Sequence, residues 1–326
     1  MTDSTDSTTT PPETDESSGP VSILLALFET LRPQQWIKNL FVLAPLFFSL
    51  QFRDLERLLL GVAATLLFCL AAGSVYLIND IFDVEKDRNH PVKCKRPIPS
   101  GRLPISVARA AAVILAIGTV GLCSLIEPWL AVVVGGYLVM NLAYSTALKH
   151  VAVVDVTIIA TGFVLRVLAG QFATGVAVSN WLLGCTFLLA LYLAMGKRAH
   201  EFHLYANGES SGTRRVLERY REEHLEFGTL FVAGMTIAVY TIWTLTAALP
   251  KLTESMISQP LHARPTPFAS PWLLGTIIFA VVGIVRFYQL VQNEDPHSPT
   301  DQILTDRPFL LNLAGWGLAM LAVAFA

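Results

Sequence analysis

Charge is scarce in this chain: only 15% of its 326 residues are Asp, Glu, Lys or Arg, where a soluble globular protein carries about 25%. Hydrophobic residues make up 53%, and the few charges crowd into short stretches between long apolar runs. That distribution excludes an ordinary soluble domain and points to a polytopic membrane protein. Cysteine is sparse too. Its four copies, Cys69, Cys94, Cys123 and Cys185, form no CxxC pair, and three lie in apolar runs, so neither a disulfide nor a zinc site is expected. The first twenty residues have no basic n-region and no apolar core, which argues against a signal peptide. They are polar, acidic and Pro-containing, so residues 1–22 read as a disordered cytoplasmic tail ahead of a single transmembrane domain over 23–326.

Apolar runs long enough to cross about 30 Å of hydrocarbon recur near 35–51, 56–79, 104–126, 129–148, 151–174, 178–196, 226–248, 270–292 and 308–326. The fold class they imply is an all-α polytopic bundle of about nine transmembrane helices. The first run is the weakest, since it opens on the amphipathic LRPQQWIKNL and is broken by Pro45. Basic residues set the orientation. Lys86, Arg88, Lys93, Lys95, Arg96 and Arg102 follow the second run, and Lys197, Arg198, Arg214, Arg215, Arg219 and Arg221 follow the sixth. The links after the third and fifth carry no Lys or Arg. The N-terminus and the basic loops therefore face the cytoplasm, in a multi-pass cell-membrane protein whose C-terminus faces outward.

Chemistry concentrates in YLINDIFDVEKDRNHPVKCKRPIPSGRLP, at the cytoplasmic end of the second run. Asp80, Asp83 and Asp87 stand at i, i+3 and i+7, which puts them on one narrow face of a continuous helix. Like charges so placed repel, and a cation among them relieves the repulsion. Hard carboxylate oxygens suit Mg²⁺, which completes its shell with water and substrate phosphate. Lys93, Lys95, Arg96 and Arg102 follow at once, in a stretch that Pro97, Pro99 and Gly101 hold as a turn. Acids for a metal beside bases for phosphate suit a phosphorylated substrate. A solvated helix end whose acids align by chance is the bland alternative. The position at a membrane boundary, where basic residues are usual, weighs against it.

Three further places carry isolated charge in apolar surroundings. Lys149 stands in the corner between the fourth and fifth runs, and Asp155 opens the fifth. Arg166 lies on the same face as Asp155, about 16 Å deeper by helix rise. An intramembrane arginine needs a polar cavity or partner, and a role facing phosphate is the preferred reading. After the sixth run come Lys197, Arg198 and Glu201.

Asn79-Asp80-x-x-Asp83-x-x-x-Asp87, followed by Arg96-Pro97-Ile98-x-Ser100-Gly101, resembles the first Asp-rich motif of the UbiA superfamily of intramembrane prenyltransferases. The resemblance covers the chain after residue 30. It implies a nine-helix fold open to cytoplasm and bilayer, with Mg²⁺ held at Asn79, Asp80, Asp83 and Asp87. One departure is informative. Members typically carry a second Asp-rich motif after the sixth span, where this chain has Lys197 and Arg198 with Glu201 as the nearby carboxylate.

The set formed by RPQQWIKNLFVLAPL, YSxxLKxxxVxD, GFxxRxxxG, KRxxE and Asp306-Arg307-Pro308 is similar to one branch of that superfamily. Its members move 5-phosphoribose from phosphoribosyl pyrophosphate onto decaprenyl (polyprenyl) phosphate, toward cell-wall arabinan. The resemblance implies catalytic roles for Asp80, Asp83 and Asp87. It implies substrate-binding roles for Lys38, Asn79, Lys95, Arg96, Tyr144, Lys149, Asp155, Arg166, Lys197, Arg198 and Glu201. An acceptor that is already a phosphate anion needs no general base; it needs positive charge to bring two anions together. Transfer of an isoprenoid to an aromatic acceptor is the alternative, but it calls for acids where Lys197 and Arg198 stand. A transporter would place acids at mid-membrane. No nucleic-acid partner is indicated, and a homo-oligomer is left open.

Overall fold

Within a bilayer every backbone N–H and C=O must be satisfied internally, and an α-helix does this segment by segment. The structure, a computed structural model, describes residues 19–206, 222–249, 267–293 and 298–325, and the regular secondary structure in these stretches is all helical. Helix α1 (Pro20–Thr30) leads to a 3₁₀ segment (Pro33–Leu43) and α2 (Ala44–Ser49). Next come α3 (Leu55–Phe82), the short α4 (Val84–Arg88), α5 (Ile105–Ile126), α6 (Pro128–Thr146), α7 (Val154–Thr174) and α8 (Asn180–Ala206). Helix α9 (Glu222–Ala248) and α10 (Thr276–Val291, behind a 3₁₀ turn at Pro271–Gly275) are followed by the one-turn α11 (Pro299–Gln302) and by α12 (Arg307–Phe325). Among the described residues eight helices are long and apolar enough to cross a membrane: α3, α5 to α9, α10 with its lead-in turn, and α12. The chain is a multi-pass membrane protein.

Local chemistry fixes several helix starts. The Asp54 side chain accepts the Arg57 N–H at the head of α3, and Glu127 caps α6 ahead of Pro128 in the first helical position. Helix α3 is the central element and packs on α5, α6 and α7. Phe68, Ala71, Ala72 and Val75 of α3 meet Leu130, Val134 and Tyr137 of α6 and Ala169 of α7 in one buried cluster. A second cluster joins Tyr192 and Ala199 of α8 to Val232 of α9 and Phe287 and Val291 of α10.

The first expected span, 35–51, departs from a continuous α-helix. The backbone turns through a left-handed conformation at Arg32 (φ 54°), runs as an 11-residue 3₁₀ segment from Pro33, and resumes as α-helix only at Ala44. Runs of 3₁₀ helix this long are uncommon and mark a constraint. Here the constraint is space. The segment is packed against α3 and α7, with Asn39 and Val42 buried, and glycines let it approach. A Cβ at Gly170 would lie 1.8 Å from the Val42 carbonyl oxygen, and Cβ atoms at Gly61 and Gly73 would each come within 2.8 Å of Leu46 or Leu31.

Two other boundaries move. Residues 20–22, assigned to the tail, lie in α1; residues 1–18 of the expected tail are outside the described residues. Helix α8 runs on to Ala206, so Lys197, Arg198 and Glu201 sit on its last turns rather than on a following loop. Most of the 202–225 connection lies outside the described residues.

Replacing Gly170 with Ala should cost at least the roughly 1–3 kcal/mol typical of overpacking and lower the thermal midpoint in detergent. Gly118, whose added Cβ meets nothing within 4 Å, supplies the control, and Gly118→Ala should leave the midpoint within a degree or two.

Candidate active site

The acidic motif does not form one helical face. Helix α3 ends at Phe82, Asp83 takes a non-helical conformation (φ −95°, ψ 6°), and α4 begins at Val84. This break turns Asp83 away from its neighbours, and its Oδ1 accepts from Lys149 Nζ at 2.8 Å. Asp80 and Asp87 stay together, both nearly removed from water (4% and 3% exposed side chains). Arg96 Nη1 bridges them, 3.3 Å from Asp80 Oδ1 and 2.8 Å from Asp87 Oδ2. Arg32 Nη2 closes on Asp80 at 2.5 Å, with its guanidinium 4.9 Å above the Tyr76 ring, and Lys93 Nζ stands 4.0 Å from Asp87. Asn79 accepts a short hydrogen bond from Ser145, which ties the motif to α6.

The basic stretch is an ordered turn, as its prolines require. Ile98 and Leu103 are buried beside Leu77 and Val84, Leu103 N–H donates to the Pro97 carbonyl, and Gly101 takes φ +82°. His90 Nδ1 accepts from the N–H groups of Val92 and Lys93. Its pKa is held below the usual imidazole value by partial burial and by nearby Lys93. Arg102 is engaged elsewhere: it forks onto Glu29 of α1 at 2.9 and 3.0 Å, which raises its pKa. The Lys95 side chain is exposed, while its carbonyl accepts from Arg102.

Arg198 was expected to contact phosphate, and the structure uses it differently. It is 2% exposed, with Nε 3.0 Å from Asp155 Oδ2 and Nη1 against Glu201, and Tyr144 lies within electrostatic range. Two carboxylates thus neutralise one buried guanidinium at the junction of α7 and α8. Asp155, Arg198 and Glu201, each expected to contact substrate, are brought together as one ion group.

Arg166 is also buried rather than open to a substrate. It donates to Asn39 Oδ1 at 2.8 Å, to the Gly162 carbonyl at 2.8 Å and to the Tyr137 hydroxyl at 3.3 Å. The rings of Phe68, Tyr137 and Phe163 lie 5.1–5.2 Å from its guanidinium carbon. Aromatic faces and neutral acceptors replace the acid that a buried cation otherwise needs. Through Asn39 this arginine fixes the 3₁₀ segment, and with it the adjacent Lys38. Lys38 is half-buried and carries no ion pair or hydrogen bond among the described residues. It feels the positive charges of Lys197, Arg166 and Arg32 and the negative charge of Asp301.

A charged rim therefore emerges with two halves. Asp80, Asp87 and Asp83 sit among Arg32, Lys93, Arg96 and Lys149, and Lys38 and Lys197 supply further positive charge alongside. No three His, Cys, Asp or Glu side chains converge closely enough to cage a metal among the described residues. Asp80 and Asp87, sharing one Arg96 nitrogen, are the pair that fits a hard cation. Mg²⁺ commonly takes only one or two protein carboxylates and fills its shell with water and substrate phosphate. Arg32, the first residue of the RPQQWIKNLFVLAPL motif, was not singled out from the sequence. Asn39, Tyr76 and Tyr137 gave no signal, because an Asn or Tyr in an apolar run reads as ordinary core.

The UbiA prenyltransferase family's sequence profile matches residues 40–314. The chain belongs to that family. It is 32% identical over 303 residues to the decaprenyl-phosphate phosphoribosyltransferase of Corynebacterium glutamicum, covering 91% of this chain and 86% of that protein. It is also 32% identical over 311 residues to the Mycobacterium tuberculosis enzyme of the same name, covering 94% and 97%. In fold it is similar to a UbiA homolog from Archaeoglobus fulgidus bound to DMAPP and Mg²⁺, with a TM-score of 0.64, 18% identity, and 92% of this chain and 99% of that one covered.

Arg198→Ala should destabilise the protein by about 3–5 kcal/mol, because it removes the cation held against buried Asp155 and half-buried Glu201. Combining it with Asp155→Ala should recover part of that loss. Thermal unfolding of the two single variants and the double variant measures the coupling; additive losses would show that the ion group is not a unit.

Proposed function

We propose that the protein transfers 5-phosphoribose from phosphoribosyl pyrophosphate to a polyprenyl phosphate such as decaprenyl phosphate, releasing pyrophosphate with the help of Mg²⁺. The observation that carries this reading is the half-acidic, half-basic rim: where a second acidic motif would serve a second cation, α8 presents Lys197 beside Lys38. The names of the relatives that match nearly the whole chain support it.

Asp80 and Asp87 would hold the cation, with Arg96 turned to phosphate oxygens, and the cation would supply positive charge for the leaving pyrophosphate. Arg32, Lys93 and Arg96 donate to that pyrophosphate, while Lys38 and Lys197 draw the remaining phosphate groups together against their mutual repulsion. An oxygen of the acceptor phosphate attacks C1 of the ribose as the C1–O bond to pyrophosphate breaks. In-line attack inverts C1 and yields a β-linked product, and no base is needed because the nucleophile is already an anion. The polyprenyl tail stays in the bilayer with its phosphate at the rim. The positive-inside pattern places that rim, the N-terminus and the basic loops in the cytoplasm.

Purified protein given labelled phosphoribosyl pyrophosphate, Mg²⁺ and polyprenyl phosphate should make a lipid-extractable ribose phosphate. Chelation should abolish the product and added Mg²⁺ restore it. Transfer from an isoprenoid pyrophosphate, with none from the ribose donor, would overturn the reading. Asp80→Asn and Asp87→Asn should each lower kcat by about 100-fold or more, the scale on which loss of one transition-state charge contact acts, without loss of folded protein.

A further inference from the structure

Arg32 occupies a position that its backbone would give to glycine. Helix α1 ends at Thr30, Leu31 closes it in a helical conformation (φ −68°, ψ −10°), and Arg32 follows at φ 54°, ψ 64°. The residue after a helix C-cap takes this left-handed conformation most often as glycine, because a Cβ there crowds the following carbonyl oxygen. An arginine kept at such a site, against its backbone preference, argues for a use of the side chain. Its guanidinium reaches Asp80 at 2.5 Å, and its side chain stays 28% exposed where that of Asp80 is 4% exposed. Arg32 thus covers the acid while part of it remains open to a ligand.

Hydrogen bonds set that backbone from both sides. The Arg32 N–H donates to the Glu29 carbonyl at 3.1 Å, and the Arg32 carbonyl accepts the Gln35 N–H at 2.8 Å. The Leu31 carbonyl accepts the indole Nε1–H of Trp36 at 3.2 Å. This last bond comes from a side chain, and it fixes the plane of the peptide that joins Leu31 to Arg32. Trp36 is itself held. Its ring meets Phe28 of α1 edge to face, with centroids 6.0 Å apart at 79°, and it packs on the cluster of Ala26, Leu31, Ile98 and Leu103. Leu31 sits against Gly73 of α3, where an added Cβ would come within 2.8 Å of it. Three residues further along α3, the Tyr76 ring lies 4.9 Å from the Arg32 guanidinium carbon.

The combined effect of these contacts is on direction. A guanidinium is planar and presents its N–H groups in a rigid fork, so the angle at which it meets phosphate decides how many hydrogen bonds it makes. A non-glycine residue left unsupported in the left-handed region relaxes toward negative φ, and that swing would carry the side chain away from Asp80. Trp36 opposes the swing at the backbone. Tyr76 opposes rotation of the guanidinium at the other end of the side chain, as a cation held over a ring.

We infer that Trp36 and Tyr76 are positioning residues for Arg32: the indole N–H holds the left-handed turn and the phenol ring holds the guanidinium plane, so that Arg32 meets the donor's pyrophosphate in a fixed orientation. This rests on the pyrophosphate contact given to Arg32 above and adds to it two residues that act through that arginine.

The test measures binding of inorganic pyrophosphate with Mg²⁺ to the full-length protein by calorimetry, a probe that does not depend on which group the donor transfers. Trp36→Phe keeps a ring and removes the N–H, and it should weaken binding about 3- to 10-fold, the range of one hydrogen bond. Tyr76→Leu should weaken it about 3-fold or more, the scale of one cation–π contact, and Tyr76→Phe, which keeps a ring, should lose less. In an Arg32→Ala background neither Trp36→Phe nor Tyr76→Leu should weaken binding further, whereas a general loss of packing would act alike in both backgrounds. Undiminished binding by folded Trp36→Phe or folded Tyr76→Leu, or losses that add to that of Arg32→Ala, overturns the inference and leaves the phosphoribosyl reading standing. Transfer from an isoprenoid pyrophosphate alone overturns that reading and leaves the inference intact. Thermal melts confirm that the variants compared are folded.

Discussion

A carboxylate shut away from water beside hydrocarbon is stable only with a cation against it, and Asp80 and Asp87 impose that condition on everything around them. Arg96 must reach both, which requires the Pro97–Gly101 turn to hold its place, and that turn is held by Ile98 and Leu103 in the core beneath it. Arg32 must reach Asp80, which requires the left-handed backbone that ends α1 and starts the 3₁₀ segment. The geometry of the N-terminal 30 residues of the described chain thus follows from neutralising two acids at the foot of α3.

The same 3₁₀ segment links the rim to the interior. Asn39 receives a hydrogen bond from Arg166 and donates one to Cys69 at 3.2 Å, so neighbouring Lys38 is fixed from within the bundle. Gly61, Gly73 and Gly170 let the segment lie this close. Arg166, deep in the bundle, holds its charge on aromatic faces and neutral oxygens. Its part is to position a lysine at the rim, and it does so through one intervening side chain. The buried Asp155–Arg198–Glu201 group does the comparable job at the junction of α7 and α8, next to Lys197.

Much of this was legible beforehand because it follows from periodicity and composition. Apolar run lengths predicted the long helices to within a few residues for most spans, since a bilayer leaves a run of that length no alternative to helix. The acidic motif and its basic tail stood out because charges at such density are anomalous beside a membrane. The helix break at Asp83 was not legible: i, i+3, i+7 spacing carries the assumption of one uninterrupted helix, and a single non-helical residue cancels it. The partners of Arg166 and Arg198 were not legible for a related reason. An arginine in an apolar run announces that it needs a partner, but not whether that partner is a substrate, an acid or a ring.

By itself the sequence determined the membrane location, the long apolar helices and the gathering of acids and bases on one side, because each depends on local composition and spacing. Tertiary structure decided which cations are paired within the protein and with what, because that depends on pairings between residues far apart in the chain. Arg32 meets Asp80, Arg198 meets Asp155, and Arg166 meets Asn39 only after the helices pack. Electrostatic energy between such groups falls steeply with distance and rises with burial, so the role of each charge is fixed by neighbours that the linear order does not reveal.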